Sequence, residues 1–413
     1  MKKILIHYSF ILSVFLLTCF SANAVTSFSG KVGIKADTLS DSESNYFDPI
    51  MKLQGFFSGQ FDFSNNTTIR TEVSVITQDI LEGGIAEDTD AKFKVDELSI
   101  TKQFMLGGFS NYFSLFSGTY EPIGSDIFLR RHFGIEEIDS VLTQTWLGLK
   151  NSTLLPFDGT GGSYIIQPDA LPIATGLYIY VNHRNTDDSE LNIDLRFGGA
   201  FNNFCIDIAG GFGAPLKSEN TETQQENFLT VDELYLHGGT ELFIGNKYSG
   251  GLFAEIGIQD LKFTRNGGSK FDYSSENLYL LIEPRFVEKY YKMNISFYSF
   301  PQETIEHLSF IDNNMGFDIN LFNDMLHIKS NTLTFGSHFT ASWDRNSFSD
   351  LKSFFKNDEE NDDFHYPDFK ISPYIVLNTP TAIIKTMLEL ITSDFSKNAK
   401  DSVRFNASYQ QFL

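Results

Sequence analysis

Along nearly the whole chain after Ser27, apolar and polar residues alternate in short runs. In the clearest run Leu191, Ile193, Leu195 and Phe197 interleave with Asn192, Asp194 and Arg196. Side chains on a strand point to opposite faces with a period of two, so such a run carries one apolar and one polar face, each meeting a different medium. About 18 runs of this kind can be traced. The fold expected is all-β, an antiparallel transmembrane β-barrel of about 18 strands within a range of 16 to 20.

The spacing between the runs separates this fold from a soluble sandwich. With the N-terminus in the periplasm, the gaps after odd-numbered strands are mostly long and polar, at 38–49, 80–90, 120–140, 214–227, 264–274 and 344–365. The gaps after even-numbered strands are mostly short, at Asn65 and Asn66, Asn202, Gly245 to Lys247, Asn323 and Asp324, and Thr379 and Pro380. Long outer loops and short periplasmic turns are the layout of bacterial outer-membrane barrels, which carry an even number of strands. Two gaps break the rule: 150–172 is long where a turn is due, and the outer gap at Asp187 and Asp188 is short. Strands within 150–172, for instance around Ser163 to Ile166, would raise the count to 20. The run 381–392 alternates tolerably but has a helix-compatible composition; its place between two alternating runs favours a strand. In Val95-Asp96-Glu97-Leu98 and Val231-Asp232-Glu233-Leu234 the apolar phase slips by one residue, which predicts a β-bulge in each.

The first 24 residues read as a cleavable secretion signal: Lys2 and Lys3, an apolar run from Ile4 to Phe20, and a small-x-small site at Ala22 and Ala24. The mature barrel is then expected at 25–413. A lipoprotein box ending at Cys19 is the rival, weakened by Thr18. No later stretch reaches the roughly 20 apolar residues of a membrane helix. Loss of the leader leaves Cys205 as the one cysteine, placed on the polar face with Asp207 and read as a buried free thiol. It also takes the formal charge from −22 to −24, which argues against nucleic acid as a partner. The 42 phenylalanines and 17 tyrosines supply side chains for a lipid-facing band with aromatic girdles.

The last run, 402–413, ends in Tyr409, Phe412 and Leu413. Here the chain resembles bacterial outer-membrane β-barrel porins, whose C-terminal strand ends in an aromatic assembly signal, although Phe412 is penultimate. The passage Leu115 to Gly124, with Gly118, Pro122 and Gly124, resembles the strand-to-loop passage before a porin constriction loop. The resemblance extends over 25–413 as an architecture. It implies outer-membrane lipid, the barrel-assembly machinery (through 402–413) and small hydrophilic solutes as partners, and a homotrimer as the oligomer.

That resemblance makes 121–140 the candidate constriction loop. It carries Arg130, Arg131 and His132, then Glu136, Glu137 and Asp139, and opposed charges at a narrowing sort permeants by charge and dipole. Solvated charges on an ordinary outer loop are the plain alternative. On the strands, the polar faces put Arg70, Glu72, Asp194, Arg196, Asp207, Glu283 and Arg285 in the lumen, with Lys31, Lys35, Lys92, Lys94, Lys292, Lys370 and Arg404 among the further basic positions and Asp62, Asp96, Glu255 and Asp318 among the acidic ones. The two signs nearly balance, so the acidic surplus belongs to the outer loops, including Asp358 to Asp363. Tyr178, Tyr180, Tyr279, Tyr298 and Tyr374 also lie on polar faces and are read as wall packing before sugar-stacking platforms.

No hydrolase, zincin or P-loop signature occurs, and the histidines lack ligand spacing. The expectation is a passive diffusion channel in the outer membrane, with no enzyme activity, metal or cofactor. The alternative is a barrel-anchored surface adhesin or binding protein that works through its extracellular loops.

Overall fold

The computed structural model describes residues 25–40, 49–77, 80, 91–143, 158–182, 189–216, 218–220, 225–227, 233–246, 249–264, 270–272, 277–305, 308, 310–345, 367–392 and 402–413. The expected leader, the Asp187–Asp188 gap and the acidic run 358–363 lie outside them.

Strands of 8 to 16 residues make up the wall: β1 (Val25–Ser40), β2 (Pro49–Phe63), β3 (Thr67–Ile76), β4 (Lys92–Leu106), β5 (Phe109–Thr119), β6 (Asp158–Pro168), β7 (Ile173–Asn182), β8 (Glu190–Phe201) and β9 (Phe204–Pro215). Two short strands, β10 (Ser218–Asn220) and β11 (Gln225–Asn227), form a separate hairpin. The wall continues with β12 (Glu233–Asn246) and β13 (Gly250–Thr264), to which β14 (Lys270–Asp272) adds three residues. It is completed by β15 (Leu278–Val287), β16 (Lys292–Ser299), β17 (Met315–Ile328), β18 (Asn331–Trp343), β19 (Asp368–Asn378), β20 (Ala382–Ile391) and β21 (Val403–Phe412). Every wall strand pairs antiparallel with its neighbours in sequence order, and β21 returns to β1, with Lys31 opposite Phe412 and Thr38 opposite Phe405. The result is a closed barrel of 18 strands. Closure leaves no strand edge unpaired, the condition for strands to cross lipid.

Connection lengths alternate without exception. The short ones are 64–66, 107–108, 169–172, 202–203, 247–249, 288–291, 329–330 and 379–381; the long ones run from seven residues at 183–189 upwards. Gly107 and Gly108 make a two-residue hairpin in which both φ angles are positive, at 62° and 80°, a conformation that side-chain-bearing residues resist. Both chain ends of the barrel lie at the short-turn end: Val25 is opposite Phe63, and the Leu413 amide donates to the Gly30 carbonyl.

Strand pairing bears out some expectations and corrects others. The gap 150–172 contains one strand, β6, followed by an ordinary short turn, so the count stays at 18 and the preceding long connection runs from 120 to 157. Asn323 and Asp324 are not a turn; they sit at a register shift inside β17, and the turn is at Lys329, with φ 59°, and Ser330. A bulge exposes consecutive polar residues much as a turn does. The segment 381–392 is a strand, β20. At Val95 to Leu98 the bulge is present: Glu97 faces Glu72, Val95 faces Val73, and Asp96 is the extra residue. At the second copy Glu233 and Leu234 pair without a shift, residues 231–232 lie outside the described set, and the irregularity falls near His237.

The polarity of the barrel is inside out. Along β8, Leu195 is 66% exposed on the outer face whereas Asp194 is fully buried inside. The pattern recurs on β19, where Phe369, Ile371 and Ile375 face out and Lys370, Ser372 and Tyr374 face in. An exposed large apolar side chain forgoes about 1.5–3 kcal/mol of burial in water, so a continuous outer band of them calls for a hydrocarbon surrounding. Phe104, Phe109, Phe201, Tyr290 and Tyr291, all exposed near the short turns, supply one aromatic girdle. No helix among the described residues is long and apolar enough to cross a membrane.

Candidate pore constriction

The long connection after β5 turns into the barrel. Gly118, at φ 91°, presses against the Asp96 carbonyl at the bulge, where an added Cβ would come within 2.4 Å of that oxygen. From there Tyr120, Ile123 and the helix α1 (Ile127–Phe133) descend into the lumen, and Ile127, Phe128 and Leu129 are buried against the wall. Gly134, at φ 65°, ends α1 and donates its amide to the Arg130 carbonyl. Phe128 occupies the space that Gly198 of β8 leaves open, since a Cβ there would lie 2.4 Å from its ring, and the Arg196 guanidinium stacks on the same ring at 4.3 Å. A glycine in the inward register of β8 thus becomes the socket for an apolar side chain of the segment.

Charges fix the segment further. Glu121 is buried at its start, accepts a hydrogen bond from Tyr178 of β7 at 2.9 Å, and has Arg131 and His132 each 3.5 Å from Oε1. Its backbone carbonyl accepts from Arg196, which is itself paired with Asp207 of β9. Burial alone would raise the Glu121 carboxyl, but His132, Arg131 and Arg196 outweigh it and hold it well below the usual carboxylate range. Arg131 also donates from Nη2 to both oxygens of Glu97 on β4, at 2.9 Å each. Further along, Asp126 accepts from the Ile138 amide at 2.7 Å and its own amide donates to Glu241 of β12. Burial raises the Asp126 carboxyl to about 6, against the pull of Arg130 3.3 Å away. Asp139 is raised too, by burial and then by Asp126, Glu137 and Glu241. Ser140 donates to Glu283, and Arg285 donates to the Asp139 carbonyl at 2.9 Å, tying the far end of the segment to β15.

The five constriction candidates therefore separate. Arg131 is taken up as an anchor to the wall, and Asp139 is buried. Arg130, Glu136 and Glu137 are the more open ones, with Arg130 and Glu137 3.8 Å apart. Lys31 of β1 is in electrostatic reach of Glu137, Arg130 and Asp139. Of the strand residues expected in the lumen, Glu72, Asp194, Arg196, Asp207 and Glu283 are buried on the inner face, while Arg70 and Arg285 are partly exposed. Arg70 donates to Gln60, and Asp194 bonds His237 at 2.6 Å. Tyr178, Tyr180, Tyr279, Tyr298 and Tyr374 are all buried wall residues. Cys205 is a buried free thiol.

A second inward segment, absent from the sequence reading, joins β16 to β17. Phe300, Thr304 and Ile305 of the short helix α2 (Gln302–Ile305), Phe310 and Ile311 are buried inside the barrel. Asp312 pairs with Lys370 of β19 at 3.0 Å and with Arg404 of β21, and Phe310 packs on His338 with ring centroids 4.5 Å apart. Burial works to raise the Asp312 carboxyl, but Lys370 and Arg404 hold it below its ordinary value. Sequence reading also passed over Glu97, Glu121, Asp126 and Glu241. For Glu241 the signal was hidden because its inward neighbour in register is Phe243, so that face of β12 does not read as polar.

No family model and no curated protein matches the chain. Among solved structures, OpdL of Pseudomonas aeruginosa aligns with 9% identity and a TM-score of 0.47 over 94% of this chain and 99% of its own. A variant of the Rhodobacter blastica porin aligns at 8% and 0.42 over 94% and 99%, and OmpF of Salmonella typhi, in complex with daunomycin, at 8% and 0.40 over 94% and 97%. The barrel assignment stands on strand pairing and inside-out polarity.

Proposed function

We propose that this barrel is a channel of the bacterial outer membrane through which small hydrophilic solutes diffuse down their gradients, with the long loops outside and the short turns in the periplasm. The observation that carries the reading is the inward segment 120–143, pinned to β4, β7, β8, β12 and β15, with Lys31 of β1 in electrostatic reach of its Glu137 and Asp139. A segment fixed in this way narrows the lumen and holds its charges in place. Charges of opposite sign on its two sides act on permeants as charged rings do in other channels. The inner face contributes positioning and electrostatics; no bond is made or broken, and no energy source is needed.

Liposome swelling tests this reading. Vesicles carrying the purified protein should swell in isosmotic solutions of small sugars and amino acids, at rates that fall steeply with solute size. Vesicles that hold the folded barrel and swell no faster than protein-free ones would contradict it.

A further inference from the structure

Between the inward segment and the short-turn end of the barrel lies a cavity of about 630 Å³. One side is formed by the segment, with Glu136, Glu137 and Asp139; the other by the wall, with Arg285 of β15 and Lys292 of β16; and Phe243 of β12 and Phe322 of β17 provide apolar surface. Two features mark it as more than lumen space. Asp139 is 7% exposed, yet neither carboxylate oxygen has a hydrogen-bond partner among the described residues, and it lines the cavity. A buried carboxylate in that state lacks a cation or a donor. Arg285 is held by Glu283 through Nε at 2.7 Å and by the Asp139 carbonyl through Nη2, which aims the guanidinium and leaves Nη1 to offer. Lys292 donates to Asp324 at 2.6 Å, one of its three possible donations.

The groups around Asp139 explain why the missing partner is cationic. Asp126 and Glu137 of the segment and Glu241 of β12 set negative charge around it, against which Arg130 and Lys31 are the cations in electrostatic reach. Glu241 also adjoins Asp207 and Glu255 on the wall. Carboxylates that outnumber their counter-ions favour a further cationic group.

We propose that this cavity binds a small zwitterion: its ammonium group meets Asp139 and Glu137, its carboxylate meets Arg285 and Lys292, and its apolar substituent packs on Phe243 and Phe322. The proposal deepens the channel reading and rests on it.

The test uses the full mature protein in a planar bilayer in KCl, with L-leucine as probe and isoamylamine and 4-methylpentanoate as its two half-probes. Leucine should reduce the open-channel current at a concentration about tenfold below that needed for either half-probe, the scale of one charge-assisted contact. Asp139→Asn should raise the leucine requirement to that of 4-methylpentanoate. Cys205 lines the same cavity and gives a readout in the unsubstituted protein. Leucine should slow its modification by a methanethiosulfonate reagent severalfold, and the half-probes should not. Leucine acting no more strongly than isoamylamine, or neither blocking nor protecting, would overturn the zwitterion site. A protein without KCl conductance would overturn the channel reading instead, and Cys205 protection would still decide on the site.

Discussion

Arg131 of α1 places Nη2 at 2.9 Å from each carboxylate oxygen of Glu97 on β4, and both side chains are buried. This pair joins the inward segment to the wall at a β-bulge, where Asp96 is the extra residue. Removing one partner of a buried pair costs about 3–5 kcal/mol, because the other charge stays behind without compensation. Arg131→Ala also leaves Glu121 with less positive charge nearby. The variant should lose stability of that order in denaturant titrations of the detergent-solubilised protein and show noisier single-channel current than the parent. Unchanged stability together with unchanged noise would remove the anchoring role.

The two inward segments should respond to pH with opposite sign. Asp126 has its carboxyl raised to about 6 in the docked segment, above the roughly 3.9 of a free aspartate, so the docked form binds the extra proton. Its contribution to docking is therefore full below about pH 4 and is lost as the pH rises through about 6. Asp312 is held low by Lys370 and Arg404, so its contribution is present above about pH 4 and fades as the pH falls further. Limited proteolysis should show 120–143 tightening as the pH falls from about 6 to 4, and 300–314 loosening below about pH 4, where the low-lying Glu121 also begins to release 120–143. Asp126→Asn should flatten the first response and Asp312→Asn the second. Loosening of 120–143 between about pH 6 and 4 would contradict the assignment.

Much of the fold was legible because one rule governs it everywhere. Leu195 and Asp194 must meet different media, and period-two alternation records that choice along most of the wall. The candidate segment was legible in part: its place after the fifth strand and its charge order could be read, but not which charges stay open. Arg131 and Arg130 are adjacent and chemically alike; only the fold turns one towards Glu97 and leaves the other beside Glu137. The second inward segment had no local signature, because the pairing of Asp312 with Lys370 and Arg404 joins positions 58 and 92 residues apart.

Charge selectivity follows from that division. Arg130→Gln should move the reversal potential under a KCl gradient towards cation preference, and Glu137→Gln should move it towards anions. Lys31→Met, on β1, should act in the same direction as Arg130→Gln. Each shift should shrink as ionic strength rises, since the Debye length falls to about 3 Å at 1 M salt. Reversal potentials unaffected by all three changes would place the narrowest point elsewhere.

The central claim, that the barrel is an open channel narrowed from within, is tested most directly by single-channel recording of the purified mature protein in a planar lipid bilayer. The account predicts stable conductance steps that grow with KCl concentration and enlarge when Arg131 no longer anchors the inward segment. A folded barrel that inserts into the bilayer and passes no current would contradict it.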